Sequence, residues 1–196
     1  MLTPSILQRL QQLWQEGEHF DASHSERREK RLNITPDTGK FLYQLSRSRR
    51  ARTVLEIGTS NGFSTVWLGL AAKAHKGSVL TVDSSAHKTA LARATLDAFG
   101  LHDVVSLRTG DAFSLLADAN DESVDLLFLD ADRARYQGYW PEITRILAPG
   151  GLVVMDNALS HAAECADFIA AVLATHGYLA ETYPIGKGQF VILKDL

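Results

Sequence analysis

The chain has 196 residues, 45% apolar and 22% charged, with a formal charge of -3: enough for one domain with a sizeable core, of ordinary globular composition, and without the basic balance of a nucleic-acid binder. Its single cysteine, Cys165, excludes an internal disulfide and suits a cytoplasmic location. No apolar run approaches the ~20 residues that span a bilayer, and the first twenty residues turn polar too soon for a signal peptide, so neither nucleic acid nor membrane is an expected partner.

In chain order, residues 1–50 read as a polar, helical N-terminal segment of the same domain as residues 51–196. The first helix places Ile6, Leu10, Leu13 and Trp14 on one face. The run Glu26-Arg27-Arg28-Glu29-Lys30-Arg31 mixes signs and suits an exposed helix, and Arg47, Arg49, Arg50 and Arg52 suit a solvated patch. From there short β-rich runs alternate with helical ones. Strands are expected at 53–57, 78–82, 104–109, 124–129 and 151–155, and helices at 62–73, 86–99, 112–117, 136–147 and 162–176. Several strands are nearly all apolar, as strands covered on both faces are. The alternation predicts an α/β fold, a doubly wound parallel sheet with helices on both faces. The last two runs, 179–183 and 189–193, have too short a connection for a parallel crossover, so they form an antiparallel hairpin. Cys165 falls within an apolar helical pattern and reads as core packing.

Chemistry concentrates at the carboxyl ends of the strands, where open α/β sheets bind ligands. The first strand runs into Glu56-Ile57-Gly58-Thr59-Ser60-Asn61-Gly62-Phe63-Ser64. Gly58 allows a tight turn, and Gly62 opens a helix whose free N–H groups can receive a carboxylate or phosphate. The dinucleotide pattern G-x-G-x-x-G is absent, since Ser60 fills its middle position. Glu56 would repel a pyrophosphate but suits a ligand carrying an ammonium and a sulfonium; a purely structural glycine turn is the alternative. Asp83 ends the second strand, where an acid can accept both ribose hydroxyls or, with Ser84 and Ser85 following, cap the next helix. Asp111-Ala112 follows the third strand and suits an adenine edge or a helix cap. Asp130 ends the fourth strand and Asp156-Asn157 the fifth. Together they offer three oxygen ligands for a hard cation such as Mg²⁺ or Ca²⁺, which would acidify a nearby hydroxyl; ordinary strand-end capping is the alternative.

These residues together resemble the small cation-dependent O-methyltransferases, the group of catechol and caffeoyl-CoA O-methyltransferases and their bacterial relatives. The resemblance covers about residues 34–194. It rests on Pro36-Asp37-Thr38-Gly39-Lys40-Phe41-Leu42, the Glu56–Ser64 loop, Asp130-Ala131-Asp132 with Tyr136, Asp156-Asn157, and Gly186-Lys187-Gly188. It implies a Rossmann-like, seven-stranded sheet with the last strand antiparallel between the fifth and sixth, and a homodimer, as in many bacterial relatives. It implies S-adenosylmethionine held by Glu56, Gly58, Thr59, Ser60, Gly62, Ser64, Asp83, Ser84, Asp111, Ala112 and Asp130. It further implies a divalent cation, Mg²⁺, on Asp130, Asp156 and Asn157, binding two oxygens of an aromatic diol that takes the sulfonium methyl in line.

Two departures stand out. Relatives commonly carry a lysine base three residues after the first metal aspartate; here Arg133 stands there, and a guanidinium cannot take a proton. Arg133 could steady an anionic oxygen, leaving proton removal to the cation or to His161, a residue type suited to base work. Asp130, Arg133 and His161 are the catalytic candidates. Thr59-Ser60-Asn61 stands where eukaryotic relatives often carry a tyrosine-containing triplet, so cofactor contacts should differ. Competing readings are a non-catalytic S-adenosylmethionine-binding protein, which Arg133 keeps open, and an NAD-type oxidoreductase, which the loop and closing hairpin oppose.

Overall fold

The computed structural model describes residues 2–195. Helix α1 (Pro4–Ala22) begins where Thr3 accepts the Ile6 N–H and Pro4 supplies a preset φ. Leu10 is fully buried, and Ile6, Leu13 and Trp14 pack partly buried beside it. In the last turn of α1, the Asp21 carboxylate turns back to accept the N–H groups of Arg31 (2.6 Å) and Leu32 (2.8 Å). That capture overturns the exposed helix expected for Glu26–Arg31. The segment is a turn followed by irregular chain, with Leu32 at φ 53°, because two backbone donors taken by one side chain cannot also serve a helix. Helix α2 (Pro36–Arg49) restarts on Thr35, which caps the Thr38 N–H. Gly39 lets α2 approach the next helix closely: a Cβ there would lie 2.3 Å from the Trp67 indole nitrogen.

The core is a seven-stranded sheet: β1 (Thr53–Ile57), β2 (Ser78–Asp83), β3 (Val105–Thr109), β4 (Val124–Leu129), β5 (Leu147–Met155), β6 (Tyr178–Tyr183) and β7 (Gln189–Lys194), in the order β3-β2-β1-β4-β5-β7-β6. The first five are parallel, and β7 runs antiparallel between β5 and β6. The expected closing hairpin is therefore present. α3 (Phe63–Lys73), α4 (Ala86–Ala98), α5 (Ala112–Asp118), α6 (Tyr136–Ile146) and α7 (Ala162–Leu173) complete the chain.

Period-two alternation divides the core. Val54, Leu126, Phe128 and Val154 face one way, packing with α1, α2, α3 and Leu96 of α4. Leu55, Ile57, Leu127 and Leu129 face the other, against Leu115, Trp140, Ile143, Phe168 and Val172 of α5–α7. β5 starts at Leu147, four residues earlier than expected, through an irregular register with β4. α7 stops at Leu173 because the Thr175 hydroxyl bonds back to the Ala171 carbonyl and Gly177 takes φ 85° to enter β6. Among the described residues no helix is long and apolar enough to cross a membrane.

Candidate active site

Strand order reverses between β1 and β4, and the cleft opens there, at their carboxyl ends. Its volume is about 900 Å³. Backbone bonds lace the strand ends one residue beyond the sheet: Gly58 N–H donates to Val82 (2.9 Å), Asp130 N–H to Ile57 (3.0 Å), Asp156 N–H to Leu129 (3.1 Å) and Gly110 N–H to Asp83 (3.0 Å). Gly58 sits at φ 105°, and a Cβ on it would lie 2.1 Å from the Asp130 carbonyl oxygen. Only glycine fits that turn.

Gly62, at φ 86°, caps α3 without a side-chain bond, leaving the helix's first N–H groups at the cleft. Asp83 accepts the Ser60 N–H (2.9 Å) through one oxygen and the Ser85 N–H (2.9 Å) through the other, so it ties the glycine loop to the start of α4 while facing the cleft with Ser84. The Ser60 hydroxyl donates to the Arg31 carbonyl (2.5 Å), fastening the α1–α2 connection over the loop. Thr59 and Ser64 also face the cleft. Asn61 faces it too; it is 3% exposed, and both polar atoms of its amide lack a protein partner.

Glu56 stands behind the cleft wall rather than in it. β-strand alternation turns its carboxylate toward α3, where it accepts the hydroxyls of Ser64 (2.6 Å), Thr65 (2.5 Å) and Thr81 (2.7 Å) at 0% exposure. Burial outweighs those bonds and pushes its pKa up to about 7. Asp111 caps α5 through the Phe113 N–H (2.9 Å) and pairs with Arg135 (2.6 Å). That leaves Ala112, with Gly110, to face the cleft.

Asp130, Asp156 and Asn157 come together as the sequence suggests. Asn157, in the left-handed region at φ 69°, donates its amide to Asp130 (3.2 Å) and Asp156 (3.0 Å), and its oxygen accepts from Ser160 (3.2 Å). Gln189 donates to the other Asp156 oxygen and reaches Thr38 (3.2 Å). Burial, then the Asp156 charge, raises the Asp130 carboxyl well above its ordinary range; burial raises Asp156 too. The described residues hold no group of three His, Cys, Asp or Glu side chains suited to a metal.

Arg133 lines the cleft but is held by Glu164, to which its Nε and one terminal nitrogen both donate at 2.8 Å. His161 precedes α7, faces the cleft half-buried, and bonds through Nδ1 to the Ser160 hydroxyl (2.9 Å). Sequence reasoning misses three features. Lys187, at the tip of the β6–β7 hairpin, faces the cleft; Gln189 orients Asp156; and the Arg27–Arg31 stretch forms a wall. The Gly186-Lys187-Gly188 tripeptide at the sheet's carboxyl end is the available signal for the first. Arg49, in contrast, bonds the Pro149 carbonyl (3.0 Å) and Asp125 (3.7 Å), at the opposite ends of the strands.

Known proteins share this fold and sequence. A catechol O-methyltransferase from Niastella koreensis is 34% identical over 131 residues, covering 65% of this chain and 59% of that protein. The chain thus spans under two-thirds of that relative's length. A solved Klebsiella pneumoniae structure, assigned as an O-methyltransferase, superposes with a TM-score of 0.82 at 26% identity over 100% of this chain and 92% of that one. An O-methyltransferase from Bacillus cereus, solved in complex with SAH, superposes at 0.79 with 24% identity over 99% and 92%. Residues 9–170 match the family described as O-methyltransferase, and the chain belongs to that family.

Proposed function

We propose that this protein is an S-adenosylmethionine-dependent O-methyltransferase that methylates one hydroxyl of a small aromatic diol with the help of a divalent cation, Mg²⁺. The observation that carries the reading is the pair of buried carboxylates, Asp130 and Asp156, bridged by the Asn157 amide at the edge of the cleft. Two like charges this close and this buried repel unless a cation or proton joins them. Turning the Asn157 amide over would present its oxygen beside theirs, giving the all-oxygen set that Mg²⁺ prefers. The cofactor likewise has fitting partners. Asp83 suits the ribose hydroxyls, Ala112 the adenine, and the open start of α3 an amino-acid carboxylate. The orphaned Asn61 amide is a buried donor and acceptor awaiting a polar ligand.

When bound, the cofactor supplies an electrophilic methyl on its sulfonium. A bound cation would supply Lewis acidity that lowers the pKa of a substrate hydroxyl. This chain's residues do the rest. Asp130, Asp156 and Asn157 would hold that cation at the edge of the cleft. Arg133, locked by Glu164, cannot accept a proton but brings positive charge to the forming oxyanion. His161 takes the proton on Nε2, since its Nδ1 is engaged with Ser160. The homologous catechol O-methyltransferase and the SAH-bound neighbour support the reaction class.

Calorimetric titration with SAH, with and without Mg²⁺ and catechol, tests this. SAH binding, with catechol affinity appearing only when Mg²⁺ is present, is the expected result. SAH binding indifferent to metal and catechol would discard the cation mechanism. No SAH binding would discard the methyltransferase.

A further inference from the structure

Asp130 and Asp156 have no basic group within ion-pair distance among the described residues. Amides meet them instead: Asn157 reaches both, and Gln189 takes the second Asp156 oxygen. Yet a buried cation stands close by. Arg133 follows Asp130 by three residues, in the single 3₁₀ turn Arg133–Arg135, and its charge acts on both carboxylates. Its side chain is 6% exposed, a setting in which a guanidinium is expected to pair with buried acids. It pairs with Glu164, whose side chain is 56% exposed. Nε and one terminal nitrogen converge on the same Glu164 oxygen at 2.8 Å, and a planar fork engaged along that edge cannot offer the edge elsewhere. Glu164 is itself placed from the carboxylate corner. The Asn157 carbonyl accepts the His161 N–H (2.9 Å), and the His161 carbonyl accepts those of Glu164 (3.0 Å) and Cys165 (3.2 Å). The first turn of α7, where a carboxylate is favoured by the helix dipole, thus hangs from the residue after Asp156.

We propose that Glu164 is a positioning residue for the cation corner: by holding the Arg133 guanidinium off Asp130 and Asp156, it keeps those two carboxylates free to take a divalent cation. The proposal rests on the cation reading above and adds a residue that governs the affinity of that site. It sets Glu164 apart from the acid of an ordinary ion pair. Removing one partner of such a pair at a buried site destabilises a protein, because the other charge is left without a partner. Here the freed guanidinium has two buried carboxylates to turn to, and their mutual repulsion is relieved when it does. Loss of the Glu164 charge therefore leaves the metal-free protein as stable as before, while any cation entering the corner has to displace Arg133. The same tether keeps Arg133 facing the cleft, where its charge meets the reacting oxygen rather than the carboxylates.

Two measurements on the full chain test this: calorimetric titration of Mg²⁺ in the presence of SAH, and urea denaturation in EDTA at pH 8. The variants are Glu164→Gln, Arg133→Gln and the two combined. Glu164→Gln should weaken Mg²⁺ binding about tenfold or more. Arg133→Gln should bind Mg²⁺ at least as tightly as the parent, and adding Glu164→Gln to it should change the affinity less than about twofold. Asp167→Asn, exposed one turn further along α7, makes the same charge change and should also stay within about twofold. In urea, the midpoint of Glu164→Gln should lie within about 0.3 M of the parent or above it. An unchanged Mg²⁺ affinity in Glu164→Gln would overturn the proposal. So would an equal loss with and without Arg133, which would make Glu164 a through-space attraction for the cation and nothing more. A lowered urea midpoint would also overturn it, because Arg133 would then have found no new partner. A parent chain that binds no Mg²⁺ would refute the cation reading instead, and the urea comparison would still decide whether Glu164 holds Arg133 off the carboxylates.

Discussion

Replacing Glu56 with Gln should stabilise the cofactor-free protein, and only above mildly acidic pH. The Glu56 carboxyl is fully buried, and its pKa rises from 4.5 to about 7 because burial outweighs the bonds from Ser64, Thr65 and Thr81. The folded protein therefore binds this proton more tightly than the unfolded chain. The associated stabilisation is complete below pH 4.5, is lost as pH rises through 7, and leaves the cost of a buried charge above that. The difference between the two values corresponds to about 3 kcal/mol. A Gln amide has the same shape and cannot ionise. The Thr81 hydroxyl, which also meets Thr59 at 2.5 Å, can rotate to accept from its nitrogen. Urea denaturation of both proteins across pH 4.5–8.5 measures the effect. Glu56→Gln should match the parent within about 1 kcal/mol near pH 4.5 and exceed it by about 3 kcal/mol at pH 8. A difference that stays flat, or that turns against the variant as pH rises, would show that the carboxylate is comfortably ionised and refute the reasoning. Saturating SAH should narrow the gap if the cofactor's ammonium draws on Glu56, as the family resemblance implies.

Three other substitutions probe the cleft's frame. Gly58→Ala drives a Cβ to 2.1 Å from the Asp130 carbonyl at φ 105°; it should cost about 3–5 kcal/mol in urea denaturation and weaken SAH binding in calorimetry. Asp156→Asn relieves the repulsion with Asp130, so the metal-free protein should gain about 1–2 kcal/mol at pH 8. The same variant should lose Mg²⁺ binding, and its methylation rate should fall by about a hundredfold and stop responding to EDTA. Tyr136→Phe removes the hydroxyl that accepts the Ala131 N–H at 2.5 Å; thermal denaturation should show a loss of about 1–2 kcal/mol.

The sheet was legible because β1 and β4 are covered on both faces, which demands the apolar runs Val54-Leu55 and Leu126-Leu127-Phe128-Leu129 and little else. The hairpin was legible from chain length alone, since residues 184–188 cannot cross over. The α1–α2 connection was not. Its charges at 26–31 satisfy a helical pattern, and the determinant lies outside it, in Asp21 taking the backbone donors of Arg31 and Leu32. Glu56 shows a subtler gap. Its position at a strand end marks it for the cleft, but alternation with Leu55 and Ile57 turns it to the opposite face, toward Ser64 and Thr65. Gln189 meets the Asp156 corner only because β7 inserts beside β5, a pairing that spans more than thirty residues of sequence and leaves no local trace, whereas Lys187 has the Gly186-Lys187-Gly188 tripeptide to mark it.

Rigidity and charge are divided along the same line in this cleft. Asp83, Asp130 and Asp156 stand on strand ends joined in series by backbone bonds, and Gly58 is pressed against the Asp130 carbonyl. The positions of cofactor loop and candidate cation ligands are thus set by one continuous backbone lattice, and displacing either displaces both. The cleft cations that have no ion pair among the described residues stand elsewhere. Arg27, Arg28 and Lys30 ride on the α1–α2 connection, fastened through Asp21 and Ser60, and Lys187 rides on a hairpin tip. A side chain exchanged on either covering segment changes the charge a substrate meets without moving the acids beneath it. Substrate choice should accordingly shift under substitution of these two segments while SAH affinity stays put, and the reverse should hold for Gly58.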